Sequence, residues 1–279
     1  MRKLLIVIVS LLFVGLLAFW LGLSNARRAP IVRTARIALA DWPRGAAPVR
    51  VLLMSDIHSG SMAMDAQRLH GIVDQVRAQR PDLILLAGDF IFGHDAATAR
   101  AVAPGLAREL GRLSAPLGVI AVLGNHDYDT DPVVVSRLLA TAQITELTNR
   151  AVQRGPLVIG GISDEVTAHA SPNATFRSME RFAGARILLS HAPGVASWMR
   201  RSGEPLFAGH THCGQIVLGA LGPLSTLTER QDLLLCGVAR VRRRLLIVTG
   251  GLGTSIVPVR FGAPPDLWVV TLGPATRRG

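Results

Sequence analysis

The chain has 279 residues, 49% of them hydrophobic and 18% charged, which is enough apolar material for one large core and too much for a disordered segment. Its two cysteines, Cys213 and Cys236, lack CxxC spacing and indicate neither a disulfide framework nor a thiolate zinc site. The net charge of +11 is almost wholly arginine, Lys3 being the only lysine. It reads as a scattered, solvated surface, with an anionic membrane or substrate patch as the alternative, and neither a nucleic-acid partner nor an obligate protein partner is expected.

The mean hydropathy of +0.37 owes part of its height to the first segment. Leu4 to Leu23 holds no charge, and about 20 residues at 1.5 Å each span the hydrocarbon core of a bilayer as a helix. Trp20 lies near one end, where an interfacial aromatic belongs. Ser24-Asn25-Ala26 offers small residues for a signal peptidase. The apolar run nevertheless exceeds the usual signal core of about 7–15 residues, so residues 1–26 are expected to be an uncleaved anchor. Arg2 and Lys3 precede the span while Arg27, Arg28, Arg33 and Arg36 follow it, a count that leans toward a cytoplasmic domain and leaves the periplasmic side open.

Residues 27–47 are rich in Arg, Ala and Pro, without a sustained period, and read as a juxtamembrane connector. A folded domain is expected over 48–273, with a short tail at 274–279. Val49–Met54, apart from Arg50, and Leu83–Ala87, Val119–Leu123, Ile187–Leu189 and Leu206–Ala208 are continuous apolar runs of the kind that form strands buried on both faces. Ala66–Gln79, Ala96–Leu113 and Pro132–Ala142 carry helical spacing, with Asp65 and Asp131 as N-caps. After Gly214 short strand-like runs, including Leu245–Val248 and Leu267–Leu272, predict a second, mixed sheet. The expected fold is α/β, two packed mixed sheets flanked by helices, with polar residues at the carboxyl ends of strands.

Five clusters stand at those ends: Asp56-Ile57-His58, Gly88-Asp89, Gly124-Asn125-His126-Asp127, Ser190-His191 and Gly209-His210-Thr211-His212. They hold five of the eight histidines. In Asp56-x-His58 and His210-x-His212 alternate spacing lets both side chains face one metal site if the backbone is extended. Asp89, after a glycine that admits close approach, suits a bridging carboxylate, and Asn125 supplies a neutral oxygen. Carboxylate, amide and imidazole without thiolate suit Mn²⁺, Fe²⁺ or Zn²⁺ and do not choose among them. Two such cations polarise a phosphoryl oxygen, lower the pKa of a bridging water and stabilise in-line displacement. Each cluster alone is weak; the ordered set is strong.

The five ordered blocks resemble those of the calcineurin-like metallophosphoesterase superfamily, over roughly residues 48 to 273. The resemblance implies its two-sheet sandwich and two divalent cations, Mn²⁺ ahead of Fe²⁺ or Zn²⁺. Asp56, His58, Asp89 and His212 would hold the first, and Asp89, Asn125, His191 and His210 the second. It also implies that His126 touches the substrate phosphate and protonates the leaving oxygen, with Asp127 steering its imidazole. The run 251–265 and Ala115-Pro116-Leu117-Gly118-Val119 resemble a subfamily of membrane-attached or exported phosphodiesterases, one branch of which hydrolyses UDP-2,3-diacylglucosamine in lipid A synthesis. The anchor then belongs in a bacterial inner membrane, and the substrate is a phosphate ester or pyrophosphate, lipid-linked in the sharpest reading. A broad phosphodiesterase is the alternative within enzymes, and an inactive scaffold the alternative outside them.

Cys213 departs from the Gly usual in similar proteins and is expected to be a small buried side chain pointing away from the metals. His70, His94 and His169 read as ordinary surface or packing residues. Arg260 is open between a structural carboxylate and the substrate phosphate. Two apolar stretches beside the blocks, Met62-Ala63-Met64 and Val217–Leu227, are either core under the second sheet or a rim that dips into lipid headgroups and accepts acyl chains.

Overall fold

The computed structural model describes residues 1–199, 203–226, 234–241 and 244–275. In chain order the elements are α1 (Arg2–Arg27), β1 (Ile31–Leu39), β2 (Val49–Met54), α2 (Ala66–Ala78), β3 (Leu83–Leu86), α3 (Ala96–Leu110), β4 (Val119–Ala121), α4 (Asn125–Thr130), α5 (Pro132–Thr141) and β5 (Thr145–Glu146). Then follow β6 (Arg150–Arg154), β7 (Leu157–Gly161), α6 (Pro172–Met179), β8 (Ala185–Leu189), β9 (Leu206–Ala208), β10 (Gly237–Val241), β11 (Arg244–Val248) and β12 (Asp266–Pro274). Two six-stranded sheets result, ordered β1-β12-β2-β3-β4-β5 and β10-β11-β9-β8-β7-β6.

The sheets pack face to face, and alternation along each strand divides its apolar residues between two layers. Val51, Leu53, Leu83 and Leu85 meet Leu157, Ile159, Ile187, Leu189 and Phe207 in the central core. Leu52, Met54, Ile84 and Leu86 face the other way, onto the helical layer of α2, α3 and α5. Val158 and Leu188 do the same for the second sheet, toward α6. Both faces are covered, so the runs read as continuously apolar. Asp65 caps α2, accepting from the Arg68 amide at 2.8 Å, and Asp131 caps α5.

Two expectations are corrected. Residues 27–47 are no simple connector, because α1 ends at Arg27 and β1 begins at Ile31, pairing in parallel with β12. Arg33 and Arg36 break up its apolar pattern, and Arg33 is held by Asp266 at 2.7 Å. The run 267–272 belongs to the first sheet, between β1 and β2, while 245–248 lies in the second as expected.

Among the described residues α1 is the one helix long and apolar enough to cross a membrane, with a mean hydropathy of 3.0 over its best window. Its Leu4–Leu17 stretch is exposed, whereas Gly22, Leu23 and Ala26 are buried against the domain.

Candidate metal centre

β2, β3 and β4 run parallel, as do β8 and β9, and each ends at one of the five clusters. Asp56, His58, Asp89, His191 and His212 are buried, with Asn125 and His210 partly so. Their ligand atoms form two main groups, Asp56 with His58 and His212, and Asp89 with His191 and His210, each within 4.8 Å. His58, Asp89 and His126 form a third. Asp89 lies between the two main groups, its Oδ2 3.5 Å from His58 Nε2 and 3.4 Å from His191 Nε2.

The backbone that presents these side chains is not extended. Asp56, His58, Asp89, His210 and His212 all have φ between 48° and 71°, the left-handed region that costs a non-glycine residue about 1 kcal/mol or more. The pairs at alternate spacing therefore do not share a side by strand geometry. His212 joins Asp56 and His58 while His210 joins Asp89 and His191, so the two histidines of that block separate. Gly88 permits the crowding: at φ +84°, a Cβ there would lie 2.6 Å from the Gly124 nitrogen and 2.9 Å from His191 Nδ1.

Hydrogen bonds fix most of the remaining atoms and leave acceptors facing one another. His191 Nδ1 donates to the Ala87 carbonyl at 2.7 Å, so its Nε2 presents a lone pair. That lone pair meets Asn125 Oδ1 at 3.0 Å and Asp89 Oδ2 at 3.4 Å, both acceptors. Asp56 Oδ2 receives the Ser55 hydroxyl at 2.6 Å and the His210 amide at 3.0 Å. Its Oδ1 is buried without a hydrogen-bond partner, 3.4 Å from His212 Nε2. Buried acceptors converging without hydrogens between them fit a pair of cations, and the fold positions these groups for a binuclear metal site.

Among themselves these groups balance their charge by sharing a proton, which a bound cation would displace. Burial opposes ionisation of Asp89, but the His191 ring beside it holds the carboxyl well below the usual range. Burial alone would depress His191, yet Asp89 and Asp56 hold it well above an ordinary histidine. Burial pushes His58 down to about 3 and Asp56 up to about 6.

His126 is buried beside this centre, its ring 4.8 Å from that of His58. Its amide donates to Asp89 Oδ1 at 3.0 Å and its Nδ1 to the Gly93 carbonyl at 3.3 Å. The steering role expected of Asp127 is therefore corrected. From the first turn of α4 its carboxylate turns back to accept the amides of Gly124, Asp89 and Phe90 at 2.8–2.9 Å, tying two ligand-bearing loops together. Burial, with Asp89 nearby, pushes that carboxyl up to about 7.

Arg260 meets neither a carboxylate nor the open site. It is fully buried, and its guanidinium donates to the carbonyls of Gly250 at 2.7 Å, Ala263 at 3.0 Å and His212 at 3.4 Å, while Nε reaches Gly253 at 2.9 Å and the His212 ring packs against it with Nδ1 3.0 Å away. The cysteines are also corrected: Cys213 and Cys236 form a disulfide. Directly after His212, Cys213 sits at φ 54° and turns its sulfur away from the ligand groups, toward the start of β10.

Of the other histidines, His70 meets Glu109 at 3.0 Å and His169 stacks on Tyr128. His94 is exposed but lies with its ring 4.8 Å from that of His126. Asp164 was not anticipated. It is fully buried after β7, Oδ2 accepting from Thr167 at 2.7 Å and Oδ1 without a partner, and its charge contributes to raising His191. The signal was present, because the run 157–162 ends in Ser163-Asp164 as the five clusters end their strands.

The apolar stretches divide. Ala63 and Met64 are buried in the core, whereas Met62 is 58% exposed and Leu221 86%. Leu227 lies outside the described residues.

Among known proteins, the model of the calcineurin-like phosphoesterase family matches residues 49–214. The chain is 27% identical to a transmembrane protein with metallophosphoesterase domain of Danio rerio, over 95% of this chain and 62% of the relative. It thus spans less than two thirds of that relative's length. It is 27% identical to an uncharacterized metallophosphoesterase of Aquifex aeolicus, over 82% of this chain and 87% of the relative. The Escherichia coli phosphodiesterase YaeI is 27% identical, over 85% of this chain and 87% of its own.

Proposed function

The chain belongs to the calcineurin-like phosphoesterase family and is a metal-dependent phosphoester hydrolase, and from that premise we propose that it cleaves a phosphodiester or pyrophosphate in a membrane-associated substrate. The observation that carries the reading is the convergence of buried acceptors, above all His191 Nε2, Asn125 Oδ1 and Asp89 Oδ2. Asp56, His58, Asp89 and His212 would hold one cation, and Asp89, Asn125, His191 and His210 the other. When bound, such a pair supplies Lewis acidity to the phosphoryl oxygens and to the attacking water.

The protein's own part is to position and to move a proton. Arg260 holds the His212 backbone carbonyl, Ser55 and the His210 amide hold Asp56, and Asp127 fixes the loops of Asp89 and Gly124. His126, its Nδ1–H anchored at Gly93, would as the imidazolium carry a second proton on Nε2 for the leaving oxygen and end as the neutral ring.

For the substrate, the apolar helix packed on the domain supports a lipid-linked molecule, and a nucleotide-linked acylated sugar such as UDP-2,3-diacylglucosamine is the sharpest form of that reading. A second reading has its own support. The Cys213–Cys236 disulfide favours an oxidising compartment, against the lean of the flanking charges, and with it a phosphodiester of nucleotides or envelope polymers. Purified full-length protein with Mn²⁺, offered UDP-2,3-diacylglucosamine, a phospholipid and bis-p-nitrophenyl phosphate, separates the two. Preference for the lipid-linked nucleotide supports the first, and turnover of the soluble diester alone the second. No turnover of any member, with metal bound, counts against both.

A further inference from the structure

The end of α1 is built into the domain next to the metal centre. The Gly22 carbonyl accepts the Arg260 amide at 3.0 Å, and a Cβ on Gly22 would lie 2.6 Å from the Phe261 ring and 2.7 Å from Val259 Cβ. Arg27 reaches the Met62 carbonyl at 2.8 Å and pairs with Asp65, while Arg68 bonds the carbonyls of Arg27, Arg28 and Leu252 at 2.9–3.3 Å. Arg260 thus holds the helix through its amide and His212 through its guanidinium, so one residue spans from the apolar helix to a metal ligand.

The segments that grip α1, and the 215–224 segment bonded to one of them, also carry exposed apolar side chains. Met62 is one; Ile256 and Val257 are 75% and 41% exposed; Leu218, Leu221 and Leu224 are 45%, 86% and 66% exposed. These segments form one layer. The Val217 amide donates to the Phe261 carbonyl at 2.8 Å, and the Gln215 side chain bonds the carbonyls of Ser255 and Val257 at 2.9 Å and the Ser255 amide at 2.7 Å. Large apolar side chains gathered on one face are unfavourable in water at about 25 cal/mol per Å², and the apolar phase that adjoins them is the one α1 enters.

We propose that the face bearing Met62, Leu218, Leu221, Leu224, Ile256 and Val257 lies in the headgroup layer of the phospholipid bilayer that α1 crosses, holding the metal centre at a fixed height over the lipid. The face is continuous with the docking of α1, and with three residues between Arg27 and Ile31 the domain has no tether on which to lift away. Substrates with acyl chains then reach the site along the surface of the membrane, whereas soluble esters must come from the side facing water. The proposal rests on α1 spanning the membrane and not on the identity of the ester.

The test is depth. Full-length protein in nanodiscs of phosphatidylcholine and phosphatidylglycerol would carry a nitroxide on Leu11→Cys, Leu221→Cys, Ile256→Cys or Ala140→Cys, one at a time. Power saturation with oxygen and a water-soluble nickel chelate reads the surroundings of each label. The Leu11 label should be deep, the Leu221 and Ile256 labels shallow but favouring oxygen over nickel, and the Ala140 label fully accessible to nickel. Labels at 221 and 256 that behave like the one at 140 while Leu11 stays deep overturn the proposal. So do labels shielded from both reagents, which would mean a protein partner, and a Leu11 label in water, which removes the premise.

Discussion

Between His212 and Gln215 the chain passes from a region of buried polar groups to a region of exposed apolar ones. In the candidate metal centre carboxylates and imidazoles are withdrawn from water, most of their outer atoms are hydrogen-bonded, and the backbone is held in an unfavourable conformation at five of the proposed ligand positions. On the adjoining face leucines and isoleucine stand in the open with few fixed partners. Each arrangement is costly in water alone, the first by desolvation and the second by apolar exposure. Each becomes favourable with an external phase, cations for one and lipid for the other. Such opposed incompleteness is how a structure shows what it meets.

The sharpest break falls on Asp89, whose Oδ2 faces both ligand groups. Asp89→Asn should abolish hydrolysis and weaken metal retention while the fold persists, as read by turnover at limiting metal and by metal content after desalting. His126→Ala should retain metal and lose rate, roughly 10²–10⁴-fold, with partial recovery on an activated phenolic ester whose leaving group needs no proton. Equal losses on poor and activated leaving groups would remove the acid role. Arg260→Lys, which loses the planar donor set on the carbonyls of His212, Gly250, Gly253 and Ala263, should weaken metal affinity by about 10–100-fold with a smaller change in turnover at saturating metal. The smallest effects separate Met64 from Leu221, members of two apolar stretches that sequence alone treats alike. Met64→Ser should destabilise by about 2–5 kcal/mol, as a core truncation does, whereas Leu221→Ser should stay within about 0.5 kcal/mol in denaturant unfolding. A comparable loss at Leu221 would mark it as core.

The strands that carry the site were legible because they are hidden on both faces nearly throughout, so each appears as an apolar run, broken in β2 by the exposed Arg50 alone, that leads into Asp, His or Gly. Their helices were legible from spacing and from the Asp65 and Asp131 caps. The edge of the first sheet was not. β1 mixes Arg33 and Arg36 with its apolar residues, and its partner β12 lies at the far end of the chain, a pairing that no local pattern encodes. The conformation of the ligand loops was misjudged for a related reason: alternate spacing suggests a strand, but the tight turns after β2 and β9 place those residues at positive φ. Asp127 was misassigned because adjacency to His126 in sequence says nothing about which way a carboxylate turns within the first turn of α4. The disulfide lacked any motif, being a pairing of two isolated cysteines brought together by the second sheet.

That disulfide closes a covalent ring over 23 positions, and Leu218, Leu221 and Leu224 all lie inside it. By loop-closure entropy such a ring contributes about 3 kcal/mol. Its more interesting effect is on evolvability. Beyond Gln215 and Val217, whose bonds hold the layer, exposed residues of the ring such as Leu221 and Leu224 can be exchanged while both ends stay pinned, one of them directly beside His212. Lineages of this fold could therefore retune which surface or ester they address by rewriting the exposed part of one enclosed stretch, leaving the seven proposed ligand positions untouched.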